Sequence, residues 1–431
     1  MKYIQINKVI RRLLPCCLFV LMPLTLQAQE KVETGTVADD DEITVTDDNG
    51  REEVIEFPEA MTYDLDSLLN LYMAKTYLDE PSDCNMQDYN PVYAREDYVD
   101  RLSRLPTVME MAYNDVVQKF IDRYSGRLRR SISYMLGASN FYLPIFEEAL
   151  EAYHLPLELK YLPIIESALN PNAVSRVGAT GLWQFMLATS RQYGLQVNSL
   201  VDERRDPVKA SYAAARYLSD LYKVFGDWNL VLAAYNCGPG NITKAIHRAG
   251  GQKDYWQLYP YLPKETRGYV PAFIAANYMM TYYSQHNICP MNTRLPAQSD
   301  TIMVSKQVHL QQIADVLDIS IDQLRTLNPM YRRDVIPGNT EPMPLRLQLA
   351  DINRFIDLED SIYNHRSDEL LTNRLEVEVK DDVPTYYHRS KRYVSKKHGS
   401  RYHRGKRSVS RRHSGRGGSR KHKSTKRRRR R

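Results

Sequence analysis

Cysteine is scarce in this sequence, and long apolar segments are absent. Five of the 431 residues are cysteine, which excludes a small scaffold held together by disulfides. The longest apolar stretch, residues 13–26, has 14 residues, whereas a membrane-spanning helix needs about 20. A polytopic membrane protein is therefore also excluded. Hydrophobic residues make up 43% of the chain, which is enough for one or two packed cores.

The first 28 residues have the pattern of a secretory signal. Basic residues precede the apolar stretch, and Ala28 offers a small residue for cleavage. A retained anchor and a lipoprotein processed at Cys16 are less favoured alternatives. We therefore expect an exported protein of the periplasm or cell envelope, with membrane association left open. The remaining cysteines, Cys84, Cys237 and Cys289, allow at most one disulfide and lack metal-ligand spacing, so we expect neither a metal nor a cofactor.

The two charge signs are segregated along the chain. Residues 385–431 hold 21 lysines and arginines and no acidic residue, whereas residues 1–384 carry a net charge of −14. We expect a disordered basic tail, because it has nothing to bury. Such a tail would adhere to anionic surfaces of the envelope, although a simple solubilising extension is an open alternative. Basic runs also attract nucleic acid, but export makes nucleic acid an unexpected physiological partner.

The body of the chain predicts a mainly α protein. Residues 29–61 hold 12 acidic and two basic residues and are expected to form a disordered leader. A helical N-terminal extension is expected at 62–104, and helix follows helix across 105–290. Within that domain we predict an apolar helical face from Val108 to Phe120. Further predicted helices start after Thr180, Asp206 and Asp227, and another spans about 269–283.

The pattern changes beyond Pro290. Strands are expected at 301–304 and 345–349, and two short helices at 310–317 and 321–327. Residues 300–350 therefore predict a small βααβ module. A charged, partly helical linker is expected at 351–384.

Glu166 is the most informative ionisable residue. It follows four consecutive apolar or proline residues and lies where a helix gives way to a loop. A carboxyl group in that setting loses solvation when it ionises, so its pKa should rise and suit a proton donor near neutral pH. For this residue taken alone, a helix-end glutamate that points into water is the favoured interpretation.

Neutral hydrogen-bonding residues accompany Glu166. Ser175, Gln184, Tyr235 and Asn236 lie near turns or on otherwise apolar helices, and such groups suit the hydroxyl and acetamido groups of a sugar. Each of these residue types, taken singly, more often has a structural role.

Taken together, these residues resemble the catalytic domain of soluble lytic transglycosylases, which have a lysozyme-like helical fold and cleave bacterial peptidoglycan. The resemblance covers about residues 105–290. It rests on Glu166-Ser167, on Asn170, Ser175 and Gly178-Ala-Thr-Gly181, on Gly181-Leu-Trp-Gln-Phe-Met186, on Ala233-Ala-Tyr-Asn-Cys-Gly-Pro-Gly240, and on Glu265-Thr-Arg-Gly-Tyr-Val270.

The resemblance implies that Glu166 acts first as catalytic acid and then as base, giving 1,6-anhydro ends without hydrolysis. Glu265 would support the site. Asp202, Glu203 and Asp206 could serve as a second carboxylate only if the fold brings them near, and Asp206 is better explained as a helix cap. The residues implied to line the cleft are Ser175, Gln184, Met186, Tyr235, Asn236 and Tyr269.

The module at 300–350 has a characteristic set of residues, which are Leu310, Ile313-Ala314, Leu317, Ile319, Leu324 and Leu327-Asn328-Pro329. With these residues the module resembles a LysM domain, a family that binds chains containing N-acetylglucosamine. The usual Gly-Asp before its first helix is replaced by Gln307-Val308-His309, which puts sugar binding in question. The expected partner of the whole chain is the peptidoglycan glycan strand. A hydrolase of lysozyme type and an inactive wall-binding scaffold are the alternatives.

Overall fold

The computed structural model describes residues 42–46, 52–62, 89–293, 295–296 and 298–371. The predicted signal and basic tail lie outside these residues. Residues 89–293 form a helical domain. Its α-helices are α1 Arg95–Ser103, α2 Asp115–Ser125, α3 Arg129–Ala152, α4 Leu162–Ser167, α5 Leu187–Gln192, α6 Pro207–Phe225, α7 Trp228–Cys237, α8 Pro239–Arg248, α9 Tyr255–Leu258, α10 Lys264–Arg267 and α11 Tyr269–Tyr282.

Helix α11 is the centre of the helical domain. Every residue of the helix from Tyr269 to Met280 is buried, because α2, α4 and α7 pack around it. A helix that is apolar on all sides is stable only in such a position. The prediction of a helix at about 269–283 is confirmed.

Aspartate caps set the beginnings of two neighbouring helices. The Asp206 carboxylate accepts hydrogen bonds from the backbone amides of Val208 and Lys209, at 2.8 and 3.1 Å. The Asp227 carboxylate accepts one from Leu230, at 2.9 Å. Both predicted caps are confirmed, and each satisfies amides that have no partner inside the helix.

Two helix starts were wrong. The helix expected after Thr180 begins at Leu187, because Thr180 and Phe185 pair as an isolated bridge and keep 180–185 as a loop. The helix expected to include Val108 begins at Asp115, where the Asn114 side chain accepts a hydrogen bond from the backbone amide of Val117. Tertiary pairing determines the first of these boundaries and a local cap determines the second. Apolar periodicity alone was not enough to predict either of them.

The expected disordered leader was also wrong for the residues that the structure describes. Strands β1 Glu42–Thr46 and β2 Glu52–Glu56 pair antiparallel, and a 3-10 helix spans Glu59–Met61. In β1 the apolar residues Ile43 and Val45 alternate with polar ones, and the antiparallel pairing places Ile43 opposite Ile55 of β2. The buried apolar side chains of this N-terminal segment are Ile43, Ile55, Phe57, Ala60 and Met61.

Phe57 should fix the N-terminal segment to the helical domain. Its ring lies 4.5 Å from that of Phe120, and the Arg123 guanidinium lies over it at 4.7 Å. We expect Phe57→Ala to lower the free energy of unfolding by about 3 kcal/mol, as measured by urea denaturation of the full chain. The matched control is Val108→Ala, at a side chain that is 77% exposed. Equal stability of the two variants would show that the segment is not part of the folded domain.

The C-terminal module spans residues 298–371. Its strands are β3 Ser299–Val304, β4 Gln307–His309, β5 Val335–Pro337 and β6 Met343–Gln348, and its helices are α12 Leu310–Leu317, α13 Ile321–Leu327, α14 Leu349–Asp357, α15 Glu359–Asn364 and α16 Ser367–Leu370. Strand β3 pairs antiparallel with β6, and β4 with β5. The two predicted helices at 310–317 and 321–327 are confirmed.

The linker expected from residue 351 is instead part of the module as far as Leu371, where the described residues end. Phe355, Ile362 and Tyr363 are buried in the core of the module. The Gln312 side-chain amide donates hydrogen bonds to the carbonyls of Ile362 and Tyr363, at 3.1 and 3.2 Å. The high content of charged residues hid an amphipathic pattern whose apolar face packs on α12.

The module is docked on the helical domain through backbone pairing. Val201 and Tyr331 form an isolated antiparallel bridge. The Asp202 amide donates to the Met330 carbonyl at 2.9 Å, and the Arg332 amide donates to the Leu200 carbonyl at 2.7 Å. Leu200 and Val201 are buried within the core of the module, so this contact is continuous with its packing.

Two further findings concern the length of the helices and the state of the cysteines. Among the described residues, none of the helices is long and apolar enough to cross a membrane. Cys289 is disulfide-bonded, whereas Cys237 is a free thiol. A disulfide is typical of oxidising compartments such as the periplasm.

Candidate active site

Glu166 lies in the last turn of α4, between a buried apolar helix and a loop. Leu162, Ile164 and Ile165 on the same helix are buried, and the chain turns sharply after it, with a φ of 49° at Ala168. Desolvation by burial raises the pKa of Glu166 to about 8, against the opposing effect of a hydrogen bond from Tyr269. The carboxyl therefore holds a proton near neutral pH, as a general acid requires.

Two tyrosines surround the Glu166 carboxyl group. The Tyr269 hydroxyl, at the start of α11, donates a hydrogen bond to Glu166 Oε1. The Tyr235 hydroxyl, on α7, donates to the Trp183 carbonyl at 2.7 Å. Burial and then the charge of Glu166 raise the pKa of both phenols, so both remain neutral donors. Helices α4, α7 and α11 thus bring together residues separated by about a hundred positions in the chain.

Glu265 and Asn236 lie at the edge of this group. The charge of Glu265 contributes to the raised pKa of Glu166, which places the two carboxyl groups within electrostatic reach. The Thr266 hydroxyl donates to Asn236 Oδ1 at 2.8 Å, which directs the amide NH2 group of Asn236 away from Thr266. Asn236 is therefore oriented to donate a hydrogen bond.

The loop at 170–186, here called the active-site loop, carries the other predicted residues. Ser175 Oγ accepts from the Ala179 amide at 3.0 Å, and the Gln184 amide group donates to the Gly181 carbonyl at 2.8 Å. Met186 is 42% exposed at the start of α5. Ser175 and Gln184 therefore also maintain the loop conformation, a structural role that was open in the sequence.

Gly181 shows why this loop needs glycine. Its φ is 87°, and an added Cβ would meet the Arg204 carbonyl oxygen at 1.8 Å. A residue with a side chain rarely adopts this backbone conformation, and the Arg204 carbonyl leaves no space for a Cβ atom at this position. The loop thus packs directly against residues 202–205.

An internal ion pair beneath the loop was missed by the sequence reasoning. Arg204 donates to both oxygens of Asp202, at 2.9 Å each, and both side chains are buried. Arg204 Nη1 also donates to the carbonyls of Gly178 and Phe185, at 3.2 and 3.4 Å. The pair therefore ties the active-site loop to the segment on which the module docks. The signal in the sequence was the run Asp202-Glu-Arg-Arg205, whose internal pairing only the fold reveals.

The N-terminal segment also reaches the site, which the sequence did not indicate. Glu59 Oε1 lies 3.4 Å from Arg176 Nε in the active-site loop. Partial burial and then the charges of Glu56 and Glu59 raise the pKa of Glu265. On the other side, Arg267 forms an ion pair with Glu53. This segment therefore contributes acidic groups to one side of the candidate site.

The other acidic residues considered from the sequence have separate partners. Asp202 pairs with Arg204, Glu203 pairs with Lys209, and Asp206 caps α6. These contacts account for all three without a role beside Glu166. Within the described part of the chain, no group of three or more His, Cys, Asp or Glu could hold a metal ion.

The comparison with protein families matches both parts of the structure. Residues 144–258 match the Transglycosylase SLT domain. The chain carries an SLT domain. That match contains Glu166, Ser175, Gln184, Met186, Tyr235 and Asn236, and it ends before Glu265 and Tyr269. Residues 298–364 match the LysM-like domain of lytic transglycosylase MltD.

Known relatives agree with these two matches. The chain is 38% identical over 184 residues to membrane-bound lytic murein transglycosylase D of Escherichia coli, covering 41% of this chain and 39% of that protein. It is 33% identical over 154 residues to membrane-bound lytic murein transglycosylase F of Maricaulis maris, covering 32% and 29%. The chain thus spans about two fifths or less of the length of these relatives. The expected resemblance to lytic transglycosylases is confirmed.

A solved structure also matches part of the chain. The 70 kDa soluble lytic transglycosylase of Escherichia coli aligns over 34% of this chain and 25% of its own, with 27% identity and a TM-score of 0.30.

Proposed function

We propose that this protein is an exported lytic transglycosylase that cleaves the β-1,4 bond between N-acetylmuramic acid and N-acetylglucosamine in peptidoglycan. The observation that carries the proposal is Glu166. It lies inside the SLT match, its pKa is raised to about 8, and Tyr269 donates a hydrogen bond to it. A protonated carboxyl group held in this way is suited to give its proton to a glycosidic oxygen.

The proposed reaction uses the same carboxyl group twice. Glu166 protonates the glycosidic oxygen while the bond from that oxygen to C1 of N-acetylmuramic acid breaks. The positive charge that develops is carried by an oxocarbenium-like state or by an oxazolinium ion formed with the substrate's own acetamide. The Glu166 carboxylate then removes the proton from the C6 hydroxyl, whose oxygen attacks C1 and closes a 1,6-anhydro ring. Neither water nor a second enzymic carboxylate is consumed, unlike in most glycosidases.

The neighbouring side chains have matching roles in this proposal. The Tyr269 hydroxyl stabilises the Glu166 carboxylate between the two proton transfers, because its hydrogen bond favours the ionised form. The oriented NH2 group of Asn236 is suited to the substrate's acetamide, and Tyr235 fixes the active-site loop through Trp183. Ser175, Gln184 and Met186 would line the glycan cleft, and Glu265 would tune the pKa of Glu166.

The mass of the products tests this function most directly. Purified sacculi digested with the full protein should yield fragments with 1,6-anhydro ends, which are lighter by one water than hydrolysed fragments. Products with ordinary reducing ends would instead identify a hydrolase of lysozyme type. Binding to sacculi without any cleavage would identify an inactive wall-binding scaffold.

The raised pKa of Glu166 predicts how activity depends on pH. The acid must be protonated in the free enzyme, so kcat/KM should fall as pH rises through about 8, by about tenfold per unit above that value. The measurement is the initial rate of sacculus solubilisation between pH 5 and 10, with circular dichroism as the control for folding. A loss of activity centred near pH 4.5, or a rise through pH 8, would contradict the assignment.

Localisation and wall binding belong to the same proposal. The relatives' names describe membrane-bound murein enzymes, and we place this protein in the periplasm or at the envelope. The LysM-like module would hold it on glycan, with His309 capping α12 where the Gly-Asp of the LysM pattern is replaced. The basic tail would add contact with anionic surfaces. Deletion of residues 385–431 should then weaken envelope association at low salt. Unchanged association would contradict the proposed contact between the tail and anionic surfaces.

A further inference from the structure

A cavity of about 390 Å³ lies at the junction between the helical domain and the C-terminal module. Pro171, Asn172 and Arg205 line it from the helical domain, and Arg325, Tyr331, Arg332 and Arg333 are among its lining residues from the module. This volume is within the range of sites for small ligands. Arginine is the prevailing charged residue, and the lining contains a single acidic residue, Asp334.

The charge of Arg325 is balanced inside the module. Its guanidinium donates to both oxygens of Asp334, at 3.0 and 2.7 Å, and to Asp322 at 2.9 Å. A guanidinium that is bound on two sides by carboxylates has little left to offer a ligand. Arg325 therefore shapes the cavity wall.

Arg205 and Arg332 are different, because neither has a carboxylate of its own. Arg205 Nε lies 3.9 Å from Asp202, whose two oxygens already accept hydrogen bonds from Arg204. Its Nη1 donates to Asn172 at 3.3 Å, and its buried Nε has no hydrogen-bond partner among the described residues. Arg332 Nη1 donates to the neutral carbonyl of Asn198 at 3.1 Å.

The two arginines also repel each other. Burial lowers the pKa of Arg205, the charge of Asp202 opposes this, and the charges of Arg332 and Arg204 add to the lowering. An anion in the cavity would relieve this repulsion, because its negative charge would lie near both guanidinium groups. Planar guanidinium groups match the two oxygens of a carboxylate particularly well.

The cavity adjoins the active-site loop. Asn172, which Arg205 contacts, precedes Ala173, and the Ala173 carbonyl accepts hydrogen bonds from the Gly181 amide and from the Gln184 side chain, at 2.9 and 3.3 Å. A ligand in the cavity would thus lie beside the loop that is proposed to bind the glycan.

We infer that this junction cavity binds a carboxylate of the peptide attached to the lactyl group of N-acetylmuramic acid. The inference rests on the proposed function, since it assigns one part of the same substrate to Arg205 and Arg332. It gives the docked module a role in recognising the peptide, which is separate from sugar binding. Substrates with and without peptides should therefore be distinguished by these two arginines.

The test compares peptide-bearing glycan strands with strands stripped of peptide by an amidase. The wild-type protein should have the higher kcat/KM on peptide-bearing strands. In the double variant Arg205→Gln/Arg332→Gln this preference should fall by about tenfold, mainly through KM, because charge-assisted hydrogen bonds are lost. The control is Arg130→Gln, at an exposed arginine on α3 that should keep the wild-type preference. An unchanged preference in the double variant would overturn the inference.

Folding and ligand source are checked separately. If thermal unfolding shows that the double variant does not fold, the single variant Arg332→Gln replaces it, since it keeps the contact of Arg205 with Asn172. Calorimetric titration of the full chain with the free acidic peptide should show binding that the variant weakens. Binding of inorganic phosphate without binding of the peptide would overturn the assignment. Failure of the proposed function is distinct, because neither type of strand would then give anhydro ends.

Discussion

Glu166→Gln should reduce glycan cleavage by at least about a thousandfold, because the amide can neither give nor take the proton that the reaction moves twice. The substitution preserves the shape of the side chain, and the amide oxygen can still accept the hydrogen bond from Tyr269. The variant should therefore bind sacculi as the wild type does. The measurements are the yield of 1,6-anhydro ends by mass spectrometry and co-sedimentation with sacculi.

Glu265→Gln is the matched control for this variant. Glu265 acts on Glu166 through its charge, so its loss should change the rate by about tenfold or less. If Glu166→Gln cleaved glycan at the wild-type rate, Glu166 would not be the catalytic acid. Equal inactivation of both variants would indicate two catalytic carboxylates and favour the hydrolase of lysozyme type.

Asp202→Ala should have the largest effect on stability, about 3–5 kcal/mol, because it leaves the buried guanidinium of Arg204 without its carboxylate. Arg204 also donates to the carbonyls of Gly178 and Phe185, so the active-site loop should lose its fixed conformation. We therefore expect lower activity even below the unfolding temperature. Urea denaturation gives the free energy of unfolding, and the rate of sacculus digestion gives the second readout.

Asp100→Ala removes a comparable ion pair at the surface. Asp100 lies 2.8 Å from Arg104 on the exposed side of α1, and such pairs contribute about 1 kcal/mol or less. The control should therefore unfold nearly as the wild type does. If both variants lost the same small amount of stability, Asp202 and Arg204 would not hold the active-site loop in the way the structure indicates.

Some features followed from the sequence because their causes are local. Asp206 and Asp227 start helices by capping amides within three residues of themselves, and the predicted start of α11 at Tyr269 marks a continuous apolar segment. Glu166 could be proposed as an acid because its apolar neighbours precede it directly in the chain. In each case the deciding interaction lies within one helix or at its end.

Other features depended on contacts between distant residues. The acidic residues at 42–61 led to a prediction of disorder. Ile55 and Phe57 are nevertheless buried, because they pack on a surface of the helical domain that exists only in the folded protein. The charged residues after 350 hid three side chains that complete the core of the module.

The sequence by itself therefore determined the candidate acid, the main helices and the two-part organisation of the chain. The tertiary structure decided which groups surround that acid. The hydrogen bond from Tyr269 to Glu166 joins residues 103 positions apart, and the docking of Tyr331 on Val201 joins two domains. Desolvation and pairing of charges depend on what packs around a group, and no local pattern along the chain specifies that packing.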